Sequence, residues 1–270
     1  MKLLFSEYKS DYTNYIFPYA IWAIPEEGET PAMMFASGFL PGSRNLDRYY
    51  LCRQVRVRLR DFSPSSENRR IFRKCEGIDF KLIPRQQFNY TPQWREFCKT
   101  YADIKFGKDV MTYQRLDSLF NSRILTHLML YTDTEKDQDV GLVTLFLEEP
   151  KMAYYYYAFY DLNYYPRNLG MYMMTSAVDF FARKQFDFIY LGTCYSRTAL
   201  YKTQFSGAEF FNGCSWSNNL KELKYLIERD KGPVTRHLLE TEEYLENFYE
   251  NNLNLLSRNS FFKISNIKAT

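Results

Sequence analysis

Histidine is nearly absent from this sequence: His127 and His237 are the only two in 270 residues. His127 is expected inside an apolar strand and His237 in a late helix, and no G-x-S-x-G occurs, so a triad mechanism has little to stand on. The five cysteines (Cys52, Cys75, Cys98, Cys194, Cys214) are odd in number and scattered singly, with no C-x-x-C pair. That argues against a zinc site, an iron–sulfur site and a disulfide framework. No apolar run approaches bilayer length, and the opening MKLLFSEYKSDY has too short an apolar stretch for a signal peptide. A soluble, cytoplasmic protein with no membrane association is expected. Charge of one sign is also missing overall: the net +3 makes no general case for a polyanion partner. Only 11 glycines occur, too few for a loop-rich scaffold.

What the chain does have is apolar and aromatic bulk, 46% and 19% of residues, with 24 tyrosines and 23 phenylalanines. This is enough for one large domain or two small ones built of mixed strands and helices. Charge becomes informative locally. Between Arg44 and Lys74 ten basic residues are opposed only by Asp47, Asp61 and Glu67. In QVRVRLRDF, Val55, Val57 and Leu59 alternate with Arg56, Arg58 and Arg60, so a strand here presents one apolar face and one of arginines. SPSSENRRIFRK then reads as a capped helix carrying Arg69, Arg70, Arg73 and Lys74. Such a stretch is either a solvated edge or a polyanion-binding surface, and like charges this close repel unless something neutralises them.

Residues 1–48 read as irregular, broken by Pro18, Pro25, Pro31 and Pro41. From about residue 86 the order is helix, helix, strand, strand, strand, helix, strand, helix, strand. ILTHLMLYT and VGLVTLFLEE form a hairpin across DTEKDQD, and MAYYYYAFYDL adds a third strand. A crossover helix with Met174, Ala177, Val178 and Phe181 precedes the buried strand FDFIYLGT, and amphipathic helices close the chain after residue 219. The expected fold is α/β (α+β): a mixed sheet flanked by helices in the layout of the GNAT acyltransferases, at 85–270, with a smaller basic N-terminal subdomain at 1–84.

At the start of the crossover helix stands Arg167-Asn-Leu-Gly170-Met-Tyr172. It has the first half of the R/Q-x-x-G-x-G/A loop that binds coenzyme A pyrophosphate at a helix N-terminus, but a tyrosine replaces the last small residue and is expected to crowd that group. A second match is more extensive. FYDLNYYPRNLGMY and IYLGTCYSRTALYKTQFSGAEFF, with CRQVRVRLRDFSPSSENRR upstream, resemble the aminoacyl-tRNA–protein transferases, the arginyl- and leucyl-transferases of the N-degron pathway. The matched positions include Tyr160, Asp161, Tyr164, Gly170, Tyr172, Gly192, Tyr201, Lys202 and Glu209 in one block, and Cys52, Arg56, Phe62, Pro64, Arg69 and Arg70 in the other. The family's N-terminal cysteine pair is replaced by FPYAIWA, and of its second pair only Cys52 remains, which marks a divergent branch without a metal function tied to those cysteines.

The resemblance implies transfer of an amino acid from aminoacyl-tRNA to the α-amino group of a protein or peptide, with aminoacyl-tRNA as co-substrate and no other cofactor or metal. Gly192 ends the strand beside the cleft, and Tyr201 donates to the leaving ribose oxygen or the ester. Lys202 partners the terminal adenosine phosphate, and Asp161 holds the incoming amine. Arg56, Arg58, Arg69 and Arg70 contact the acceptor stem. Tyr160, Tyr164, Arg167, Gly170, Tyr172 and Glu209 line the substrate. Two alternatives stay open: an acyl-coenzyme A-dependent N-acyltransferase, and a non-catalytic descendant that binds tRNA or a protein. The transferred amino acid, the acceptor residue and the oligomeric state are not legible.

Overall fold

A computed structural model of the chain describes residues 1–260 and 262. Its elements run β1 (Lys2–Glu7), β2 (Tyr19–Ile24), α1 (Pro31–Ala36), β3 (Phe39–Pro41), β4 (Tyr49–Leu51), β5 (Gln54–Arg58), α2 (Ser66–Lys74) and β6 (Ile78–Pro84). There follow α3 (Pro92–Lys105), α4 (Tyr113–Phe120), β7 (His127–Asp133), β8 (Gln138–Glu148), β9 (Met152–Tyr160), α5 (Leu169–Arg183), β10 (Phe188–Thr193), β11 (Ala208–Phe211) and β12 (Trp216–Ser217). Helices α6 (Leu220–Arg229), α7 (Glu242–Tyr249) and α8 (Leu253–Asn259) complete the described chain.

Local chemistry explains the helix starts. Ser65 accepts from the Asn68 backbone at 3.1 Å while the Asn68 side chain accepts from Ser65 N at 3.0 Å, a reciprocal cap for α2. Thr91 caps α3, and Pro92 occupies its first turn, where no N–H is needed. The expected hairpin is present: β7 and β8 pair antiparallel across residues 134–137.

The large sheet has the order β12-β11-β5-β10-β9-β8-β7-β6, and β1-β2-β4-β3 form a second, smaller one. The 1–48 stretch is therefore not irregular; β1 (KLLFSE) and β2 (YAIWAI) do not alternate apolar with polar residues, and β3 is only three residues long, so none shows a period. The boundary at 84/85 does not divide the large sheet either, because β5 and β6 both belong to it and β5 lies between β10 and β11. Covering helices make this possible. On one face α5 packs Met173, Ala177, Val178 and Phe181 against Val55, Val57, Ile189 and Leu191. On the other, α1, α3 and α4 bury Phe35, Cys98, Leu116 and Phe120 with Tyr154 and Tyr190. The sheet is mixed and flanked by helices, as the GNAT-like layout requires. Among the described residues its one parallel contact, β9 with β10, lasts only from Met152–Phe188 to Tyr154–Tyr190. Beyond that the two strands part, leaving a gap in the sheet.

Candidate active site

The gap opens where β10 ends. Gly192 sits at φ +81°, a conformation that side chains rarely adopt, beside an irregularity in the β10–β5 register between Tyr190 and Gly192. Packed against it is the amine of Lys202, from the 3₁₀ turn Arg197–Thr203. A Cβ placed on Gly192 would lie 3.6 Å from Nζ, and Nζ donates to the Thr193 carbonyl at 2.8 Å. The side chain is half-buried, and burial pulls its pKa below the ordinary lysine value. The amine is thus folded back onto the strand end and does not reach outward in the way that the motif implies for a partner of the adenosine phosphate.

Tyr201 is 46% exposed, and its phenol pKa is raised first by burial of the hydroxyl and then by neighbouring Tyr160. Tyr160 ends β9. Its ring lies 4.9 Å from that of Tyr101 on α3 and presses on the crossover-helix start: a Cβ on Gly170 would meet the Tyr160 ring at 2.7 Å. Asp161 follows, and its carboxylate accepts from Asn163 N at 2.9 Å, starting the 3₁₀ turn Leu162–Arg167. Tyr101, Tyr160 and Asp161 line one end of a cleft of about 610 Å³ between α3 and the ends of β8 and β9. Sequence patterning does not single out Tyr101: its helical spacing with Trp94 and Phe97 fits a core aromatic as well as one lining a cleft.

Several expected ligands of substrate instead brace the scaffold. The Tyr164 hydroxyl donates to Asp133 at 2.6 Å and accepts from Lys136 at 2.9 Å. Arg167 donates to the carbonyls of Lys74 and Glu76 at 3.1 and 2.5 Å. Tyr172 donates to the Ile78 carbonyl at 2.6 Å. These bonds tie the start of α5 to α2, β6 and β7. Tyr172 thus points into the scaffold rather than across the helix N-terminus, and the crowding there comes from Tyr160.

The arginine face of β5 is neutralised from across the sheet. Glu209, opposite Arg56 on β11, takes Arg56 Nε at 2.8 Å with one oxygen and Arg58 with the other. The Arg56 guanidinium is sandwiched between Phe188 and Trp216, 4.1 and 3.8 Å from the ring centroids, with a side chain only 7% exposed. Arg56 is therefore not presented to a phosphate backbone, and Glu209, which borders a hollow with Trp216, clamps both arginines. Arg69, bonded to the Pro64 carbonyl, and Arg70, paired with Glu67, stay exposed on α2 beside Arg73 and Lys74. Among the described residues no group of three or more His, Cys, Asp or Glu could hold a metal ion, and all five cysteines are free.

No family model matches the chain. It is 26% identical over 170 residues to the aspartate/glutamate leucyltransferase of Paramagnetospirillum magneticum, a match covering 61% of this chain and 68% of that protein. Among solved structures it is similar to L-PGS from Bacillus licheniformis, with TM-score 0.42 and 12% identity over 53% of this chain and 46% of that one. It is also similar to the C-terminal domain of a lysylphosphatidylglycerol synthetase from Agrobacterium fabrum, with TM-score 0.44 and 10% identity over 56% and 49%. The chain spans about half the length of those two structures.

Proposed function

We propose that this chain, a divergent relative of the aminoacyl-tRNA–protein transferases, transfers an aminoacyl group from tRNA to the α-amino group of a peptide or protein. The observation that carries the reading is the half-buried Lys202 amine beside Gly192, at a gap in the sheet that Tyr160 and Tyr201 flank.

The reaction replaces a C–O bond by a C–N bond. The acceptor amine attacks the ester carbon, the carbonyl becomes an oxyanion, and the ribose oxygen leaves. Burial lowers the Lys202 pKa and so makes its neutral form easier to reach, and in that form the amine takes the proton that the attacking nitrogen sheds. Tyr201, its phenol kept protonated by burial, donates to the departing ribose oxygen. Asp161 holds the incoming ammonium before it loses its proton. Arg69, Arg70, Arg73 and Lys74 on the open face of α2 supply the phosphate contacts. The acyl-coenzyme A alternative is disfavoured by the Tyr160 ring against Gly170, which fills the approach to the helix start that a pyrophosphate would need. Among the described residues no helix is long and apolar enough to cross a membrane.

The test is transfer of radiolabelled amino acid from a total aminoacylated tRNA pool to peptides of varied first residue. Label in peptide, reduced by both Tyr201→Phe and Lys202→Ala, is the expected result. Background label with tRNA still bound would replace this reading by that of a binding-only descendant.

A further inference from the structure

The large sheet ends at β6, and the outer edge of that strand is open along part of its length. Its ladder to β7 runs through the odd positions: Arg85 N donates to the Thr126 carbonyl and Thr134 N to that of Gly77, and the register between them has no irregularity. The even residues Ile78, Phe80, Leu82 and Pro84 therefore turn their backbone groups outward. Ile78 is satisfied within the chain, since its N–H reaches the Cys75 carbonyl at 2.9 Å and its own carbonyl accepts from Tyr172 at 2.6 Å. Pro84 has no N–H to offer. Among the described residues no partner reaches the N–H and C=O groups of Phe80 and Leu82, which stand together as a short pairing site.

The side chains of the same two residues border a hollow of about 500 Å³ on the α5 face of the sheet. Phe180, Phe181 and Phe186 line it, with one lysine, Lys184, and one carboxylate, Glu149. Between Phe80 and Leu82, on the opposite face of the strand, stands Lys81, exposed and without an ion pair among the described residues. Lys81 decides what can pair there. Two copies of β6 laid antiparallel so that all four free groups bond, Phe80 of one opposite Leu82 of the other, place Lys81 directly against Lys81. Like charge at the centre of the contact thus disfavours a second copy, as lysine on an edge strand does, and a carboxylate at the same place is favoured.

We propose that the β6 edge and its hollow form a docking site for an extended segment of another protein, in which an acidic residue stands between two bulky apolar ones. The segment adds antiparallel to β6 as a ninth strand of the large sheet. Its apolar residues lie opposite Leu82 and Phe80, bond to their backbone groups and turn their side chains toward the hollow. The acidic residue between them faces Lys81 from the non-hydrogen-bonded position, where side chains of paired strands come closest. Docking there does not depend on aminoacyl transfer at Lys202.

Fluorescence anisotropy of the full chain tests this with acetylated, fluorescein-labelled peptides that carry Leu-Glu-Phe, Leu-Lys-Phe or Ala-Glu-Ala between flanks of glycine and serine. The Leu-Glu-Phe peptide is expected to bind about fivefold or more tighter than either of the others. Lys81→Glu, a change at an exposed side chain, should reverse the preference to Leu-Lys-Phe. N-methylation of the peptide's Leu or Phe, whose N–H groups face β6, should abolish binding, and N-methylation of its Glu, whose N–H faces away, should cost far less. Equal binding of the Glu and Lys peptides, a preference that survives Lys81→Glu, indifference to the site of N-methylation, or no binding by any peptide would overturn the assignment. Dimerisation of the wild-type chain that competes with the peptide in sedimentation runs would give the edge to a second copy instead.

Discussion

Lys202 and Glu209 hold charge in opposite ways. Burial penalises the Lys202 ammonium, so its folded pKa lies below that of an unfolded lysine. The unfolded chain then binds more protons over the interval between the two values, and stability should rise with pH through it. The wild type should therefore gain thermal stability relative to Lys202→Met as pH is raised from 7 toward the unfolded-lysine value of about 10.4. Melting curves of the two proteins at stepped pH check the sign. In transfer assays, Lys202→Ala should lower kcat by about 10²–10⁴, the range for a lost general base. Glu209 is the reverse case, a carboxylate that neutralises two arginines, one of them Arg56 at 7% side-chain exposure. Glu209→Ala should cost about 3–5 kcal/mol in urea denaturation by leaving that guanidinium buried without its partner. A substrate-binding role would instead raise KM and leave the urea midpoint in place.

At the level of elements, α2 and β5 came from the same basic stretch of sequence and ended in different surroundings. The α2 pattern was legible because its determinants are local: the Ser65–Asn68 cap and a polar outer face. Its exposed arginines and lysine give a prediction. Arg73→Ala and Lys74→Ala should each weaken tRNA binding and lower the slope of log K against log salt by about 0.9. Titration at several salt concentrations would show it, and an unchanged slope would remove α2 from the interface. For β5 the alternation of valine and arginine correctly marked a strand, yet Gln54, Val55, Arg56 and Val57 are all buried. The missing information was Glu209, 153 residues away, together with the rings of Phe188 and Trp216. Only the assembled sheet brings these side chains to Arg56. The candidate site divides the same way. Gly192, Tyr201, Lys202 and Asp161 stood out as motif positions. Tyr101 did not, because a cleft between a helix and a strand end has no period in the chain.

Across the whole molecule, the N-terminal segment is joined to the large sheet through aromatic packing. Phe35 of α1 lies 4.9 Å from the Tyr154 ring and 5.0 Å from that of Tyr190, and Trp216 donates to the Ala36 carbonyl at 2.7 Å. Phe35→Ala should cost about 3–5 kcal/mol. If the small and large sheets melt as one unit, calorimetry will show a single transition moved to lower temperature. Two separated transitions would mean that the segment around α1 folds on its own.

The position of β5 also has a consequence during synthesis. The ribosome releases Arg56 long before Glu209, and the intervening 153 residues take roughly 8–30 s at translation rates of about 5–20 residues per second. For most of that time both edges of the nascent strand await partners, β10 and then β11, that have yet to be made. Its arginines then serve as gatekeepers, holding an apolar, β-prone segment in solution by mutual repulsion until the glutamate that turns them inward arrives.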